Sequence, residues 1–136
     1  MARKKQTPSS EALETPPAAP GSLTYDGQGL AWLVLDDPAK KVNTLSSRLF
    51  EWFEEQVDQL ERERPAALII TSAKPDGFVA GADLEELLTV TDKEGVIALL
   101  QRGHEAMQRL AGLPFPTVAA IHGAALGGGL ELALAC

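Results

Sequence analysis

The sequence has one cysteine, Cys136. A lone thiol closes no intramolecular disulfide, so an oxidising compartment is neither required nor hinted at. Basic charge is also scarce. Twelve Lys and Arg stand against 19 Asp and Glu, a formal net charge of −7, and nucleic-acid binding favours a basic face. Uninterrupted apolar runs of about 18 residues are missing, so no membrane span is expected. The N-terminus "MARKKQTPSSEALETPPAAP" starts basic but lacks the apolar stretch of a secretory signal, and Glu11 and Glu14 argue against a transit peptide. The expectation is a cytoplasmic protein with no nucleic-acid partner, no membrane span and no metal site.

What is there suits one modest domain: 136 residues, of which 45% are hydrophobic. Residues 1–20 hold four of the nine prolines and few large apolar residues, so a disordered tail is expected there. "SLTYDGQGLAWLVLDDP" reads as two strands about the turn residues Asp26, Gly27, Gln28 and Gly29, the second running from about Leu30 to Leu35. Leu45, Leu49, Phe53, Val57 and Leu60 repeat at helical spacing. Thr44 or Ser46 would cap that helix, and Pro65 ends it. Its acidic residues read as a solvated face.

"AALIITS" reads as a buried strand, "AKPDGFVAGAD" as loop, and Asp83 as the N-cap of a short helix. A long helix spans roughly Asp92 to Ala111, with Val96, Leu100, Met107 and Leu110 on one face. "LPFP" stops it, "TVAAI" is a further buried strand, and a glycine run leads into a last helix. Alternation of this kind predicts an α/β layer architecture.

Two segments share one grammar of strand, small-residue turn and helix start: "TSAKPDGFVAGADLEEL" and "HGAALGGGLELAL". A helix that begins at a glycine turn leaves main-chain N–H groups unpaired and outward, which suits an anion or a developing oxyanion. Dinucleotide and phosphate motifs fail. Leu132 stands where G-x-G-x-x-G needs glycine, and no Lys-Ser/Thr pair follows Gly123. Taken alone, Glu131 could be a first-turn glutamate that favours the helix dipole. His104 and His122 read as structural or solvent-facing, Lys40 and Lys41 as a solvated pair, and Trp32 and Trp52 as packing residues.

"FVAGADLEEL" together with "HGAALGGGLELALAC" resembles the crotonase (enoyl-CoA hydratase/isomerase) superfamily. "KKVNTL" and "TSAKPDGFVAGAD" are most similar to the N-terminal hydratase part of bacterial multifunctional fatty-acid oxidation α subunits. The resemblance covers about residues 22–136 and implies the N-terminal half of a crotonase-like ββα-spiral fold. It implies that the N–H groups of Ala82 and Gly128 form an oxyanion hole for an acyl-CoA thioester carbonyl, flanked by Gly81, Asp83 and Gly127. Lys41, Val42, Asn43 and Ala80 would lie against the CoA nucleotide end. Glu131 would hold and activate the water that adds to a 2-enoyl-CoA.

The implied activity is enoyl-CoA hydration in fatty-acid β-oxidation. Other crotonase chemistries (isomerisation, thioester hydrolysis, decarboxylation) and an inactive truncated chain are the alternatives. No cofactor is implied for this segment; NAD would enter only with a dehydrogenase part of a parent protein. The family's second catalytic glutamate lies beyond Cys136, and "LELALAC" carries no helix stop signal. Residues 21–136 are therefore expected to be a hydratase-like domain incomplete at its C-terminus, with a homotrimer or larger complex expected of the full-length protein.

Overall fold

The computed structural model describes residues 17–136. Most of the expected disordered tail, residues 1–16, lies outside the described residues. Pro20 is buried, and its carbonyl accepts the Asp36 N–H at 2.9 Å.

The fold opens with a hairpin: β1 (Gly21–Tyr25) and β2 (Leu30–Leu35) pair antiparallel, Gly21 opposite Leu35. Asp26 shapes the turn between them. Its carboxylate accepts the Gln28 and Leu30 N–H groups at 2.8 and 3.0 Å and the Trp32 indole N–H at 3.1 Å, the local side-chain bonding that makes Asp a turn residue. Helix α1 (Ser47–Glu63) follows, capped by Ser46 and not Thr44, with the Ser46 hydroxyl accepting the Leu49 N–H at 3.2 Å. It ends at Arg64 in the left-handed region, φ 48, immediately before Pro65.

Strand β3 (Ala67–Ser72) runs parallel to β2. After it come β4 (Gly77–Val79), α2 (Leu84–Leu87), α3 (Lys93–Ala111), β5 (Thr117–Ala119), β6 (Ala124–Ala125) and α4 (Gly128–Leu134). The main sheet has the order β1-β2-β3-β5, with β3 and β5 parallel, and β4 pairs with β6 in a separate two-stranded parallel sheet. Neither β4 nor β6 was expected; both lie within segments that read as loop or turn.

The strands expected to be wholly buried are covered on one face. In β3, Leu68, Ile70 and Ser72 are buried while Ala67, Ile69 and Thr71 are half-buried, and in β5 Val118 is 51% exposed. The covered face carries Ala31, Leu33, Leu35, Leu68 and Ile70 into one core with Leu49, Phe53, Val57 and Leu60 of α1 and Ala106 and Leu110 of α3. Only the second half of α3 joins this core. Leu100, expected on its buried face, is 57% exposed.

The acidic face of α1 is also not simply solvated. Arg102 of α3 bonds both carboxylate oxygens of Glu54 at 3.0 Å, and Arg109 reaches Asp58 at 2.6 Å and Glu61 at 3.1 Å. Among the described residues, no helix is long and apolar enough to cross a membrane.

Candidate active site

The two strand–turn–helix segments meet because β4 and β6 pair, with Gly77 opposite Ala124. On the first segment, the Leu45 N–H donates to the Gly81 carbonyl at 2.8 Å and the Asp83 N–H donates to the Leu45 carbonyl at 3.1 Å. A residue bracketed by two parallel-ladder bonds turns its own amide the other way. That residue is Ala82, and its N–H has no acceptor among the described residues. Gly81 makes the turn possible at φ 108, a region that L side chains rarely adopt.

On the second segment, the Leu126 N–H is tied to the Val79 carbonyl at 3.0 Å. The chain then turns at Gly127, φ 50, into α4. The next amides find partners: Gly129 donates to Leu126 O at 2.8 Å, and Leu130 and Glu131 donate to Gly127 O at 3.0 and 3.1 Å. The Gly128 N–H has none among the described residues. The two turns approach closely, since a Cβ built on Gly127 would lie 4.0 Å from Gly81 Cα.

Ala82, Gly128 and Glu131 line one cavity of about 150 Å³. Its remaining walls are mainly apolar: Leu45 and Phe50 on one side, Leu87 of α2, and Leu99 and Met107 of α3. Glu131 is exposed and takes part in none of the ion pairs among the described residues. Its Oε2 comes within 3.6 Å of where a Gly128 Cβ would sit. The arrangement is two free main-chain donors, a carboxylate one turn away and an apolar channel. It can hold a carbonyl oxygen while presenting a base to carbons further along the same molecule.

Asp83 sits beside Ala82 and is buried. It caps α2 by accepting the Glu86 N–H at 3.1 Å, and it also accepts from Thr44 Oγ1 at 2.9 Å and pairs with Lys40 Nζ at 3.1 Å. Burial pushes its carboxyl upward, but the Glu86 amide, Lys40 and Thr44 together hold it below its ordinary value of 3.8. Glu86 accepts the Ser47 N–H at 2.9 Å and the Ser47 hydroxyl, so the starts of α1 and α2 are joined.

Val42, Asn43 and Ala80 line a separate small cavity of about 30 Å³. Lys41 lines neither cavity and is exposed. The Asn43 side chain turns inward and is buried. Its Nδ2 donates to Leu35 O at 3.0 Å, Ser72 Oγ at 2.9 Å and Phe78 O at 3.2 Å, and its Oδ1 accepts the Asp37 N–H at 3.2 Å. The Asn43 carbonyl accepts the Ala80 N–H at 2.9 Å.

One residue differs from the expectation for it. Lys40 is not a free solvated lysine but the partner of Asp83 and Glu85. His104, exposed as expected, lines the cavity that holds Glu131, and His122 Nε2 donates to the Lys74 carbonyl, 2.7 Å away. Leu100 and Met107, expected on one face of α3, line the same cavity. Among the described residues, no group of three or more His, Cys, Asp or Glu could hold a metal ion.

Fold and site together define an α/β protein whose two glycine turns present main-chain donors to one apolar cavity. The enoyl-CoA hydratase/isomerase family model matches residues 26–136, and the chain belongs to that family. It is 48% identical over 116 residues to the fatty acid oxidation complex subunit alpha of Vibrio parahaemolyticus, which covers 85% of this chain and 16% of that protein. To the corresponding subunit of Aliivibrio fischeri it is 44% identical over 115 residues, 83% of this chain and 17% of the relative.

The crystal structure of enoyl-CoA hydratase from Bacillus anthracis superposes with a TM-score of 0.78 at 34% identity, over 86% of this chain and 45% of that one. The enoyl-CoA hydratase of Mycobacterium smegmatis gives 0.80 at 27% identity, again over 86% and 45%. The half-crotonase architecture expected from the two motifs is the observed one. The chain spans 16–17% of these curated relatives and under half of these solved structures.

Proposed function

We propose that this chain supplies the oxyanion site and the first catalytic carboxylate of an enoyl-CoA hydratase of fatty-acid β-oxidation. The observation that carries the reading is the unpaired pair of N–H groups, Ala82 and Gly128, on one cavity with Glu131. A 2-enoyl-CoA places its thioester oxygen between the two donors, with C2 and C3 running past the first turn of α4. Glu131 takes a proton from a water as that water's oxygen bonds to C3. The C2–C3 π pair moves onto the thioester as an enolate, and C2 then gains a proton to give the 3-hydroxyacyl-CoA.

Each amide aimed at the enolate oxygen contributes about 3–4 kcal/mol to the transition state in comparable sites. Hydration moves no electrons to or from an acceptor, so the reading needs no redox cofactor. NAD belongs to it only through a dehydrogenase part of the parent protein. The acid that protonates C2 is assigned to the family's second glutamate, outside residues 21–136, which we read as one incomplete hydratase domain. Gly81 and Gly127 shape the two turns and Asp83 braces one of them. Lys41, Val42 and Ala80 are assigned to the CoA nucleotide end, and Asn43 to holding that wall from behind. A cytoplasmic trimer or larger assembly completes the reading.

The test is Glu131→Gln in the protein as the cell makes it, followed by loss of crotonyl-CoA absorbance. A fall in kcat of about 10²–10⁴-fold is expected, with thioester binding retained. An unchanged kcat would overturn the assignment.

A further inference from the structure

We propose that Lys40 is a positioning residue for the oxyanion site, holding and neutralising Asp83 so that the neighbouring Ala82 N–H can serve developing negative charge. The proposal rests on the hydratase reading and adds to it a residue outside the two motifs.

The turn at 80–83 is clamped from one side by residues 40–45. Asn43 O accepts from Ala80, the Leu45 backbone brackets Ala82, Thr44 Oγ1 donates to Asp83, and Lys40 Nζ lies 3.1 Å from Asp83 Oδ2. Every member of this clamp but Lys40 is neutral. Asp83 is needed where it is, because it caps α2 through the Glu86 N–H. Yet its carboxylate is buried one residue from a donor meant for an enolate oxygen, and like charges repel strongly where solvent is excluded. An uncompensated Asp83 would oppose the charge that Ala82 stabilises. Lys40 removes that conflict.

The lysine is held for the task. Its ammonium also donates to Glu85 at 2.6 Å, and its hydrogen bonds to Glu85 and Asp83 raise its pKa above the ordinary value. With two carboxylates already bound, Lys40 is poorly placed to take a CoA phosphate. Lys41 is exposed and in none of the ion pairs among the described residues. The adjacent lysines thus divide: Lys40 acts on kcat, Lys41 on KM.

The experiment uses the native protein, crotonyl-CoA turnover and a cinnamoyl-CoA thioester, whose absorption moves to longer wavelength as its carbonyl is polarised. In Lys40→Met, kcat should fall about tenfold, KM should change by less than about twofold, and the bound thioester's red shift should shrink. Lys40→Arg should restore both rate and shift. Removing the charge that Lys40 balances should also help, so Lys40→Met with Asp83→Asn should be faster than Lys40→Met alone; Asn remains a good N-cap.

A merely structural lysine would lower the amount of folded protein without changing the spectrum of bound thioester. Wild-type red shift and kcat in Lys40→Met, or no recovery in the double variant, would overturn the proposal while leaving hydration intact. Wild-type protein without hydration would overturn the hydratase reading, and this proposal with it.

Discussion

Asn43 shows how much of a residue's work lies outside its local sequence. An asparagine in "KKVNTL" resembles the family's CoA-side residues, but nothing local says that its amide will meet three acceptors from β2, β3 and β4. In the fold it is 3% exposed and joins the ends of those strands behind the site. Removing the amide takes the Asn43 partner from the Phe78 carbonyl and the Asp37 N–H, at about 1–3 kcal/mol for each group left unpaired, while the Leu35 carbonyl keeps the Ala73 N–H at 3.0 Å. Asn43→Ala should therefore destabilise the native protein by about 3 kcal/mol in urea unfolding. Asn43→Asp should be at least as harmful at pH 7, because it sets an acceptor against the Leu35 and Phe78 carbonyls. An Asp variant as stable as wild type would contradict this account of Asn43.

At the scale of elements, β4, β6 and α4 form the platform that brings the two turns together. Gly129 is its tightest point: a Cβ there would lie 2.3 Å from the Val79 carbonyl oxygen and 2.8 Å from Val79 Cβ. At Gly128 the obstacle is Leu45 Cδ1 at 2.6 Å, the end of a flexible side chain. Gly129→Ala must push α4 off β4, at a cost of about 1–3 kcal/mol, whereas Gly128→Ala should cost less. Because α4 carries Gly128 and Glu131 with it, Gly129→Ala should lower kcat more than it raises KM, measured on the protein that remains folded. Equal stability of the two variants would count against this packing.

The long elements were readable because α1 and α3 repeat apolar residues at helical spacing and β2 is an unbroken apolar run after a turn. β4 and β6 were not, since strands of three and two residues carry no period and exist only by pairing with each other. The donor turns were visible as glycine and alanine at strand–helix junctions. The wall contributed by α2 and α3 was not, because an apolar stripe reads the same whether it faces a core or a substrate.

At the scale of the whole molecule, one cluster of acidic charge among the described residues is set against two arginines. Glu54, Asp58 and Glu61 of α1 face Arg102 and Arg109 of α3, and these pairs stand beside the shared core of the two helices. The Arg102 hydrogen bond holds the Glu54 carboxyl below its ordinary value of 4.5, with burial opposing. Asp83 is likewise held below 3.8. Carboxylates depressed on folding contribute stability that is fully present above their unfolded pKa and is lost as pH falls through the folded value. Stability should therefore hold from neutral pH to about pH 5 and fall progressively below the 3.8–4.5 range.

The Glu54 pair is partly exposed, so its share is modest, about 0.5–1 kcal/mol at neutral pH. Glu54→Gln should lose that amount at pH 7, lose progressively less as pH drops below 4, and show a weaker dependence of stability on salt than wild type. Denaturation midpoints across pH at two ionic strengths test this. A wild-type slope in acid for Glu54→Gln would assign the acid sensitivity to Asp83 and the site, not to the helix layer.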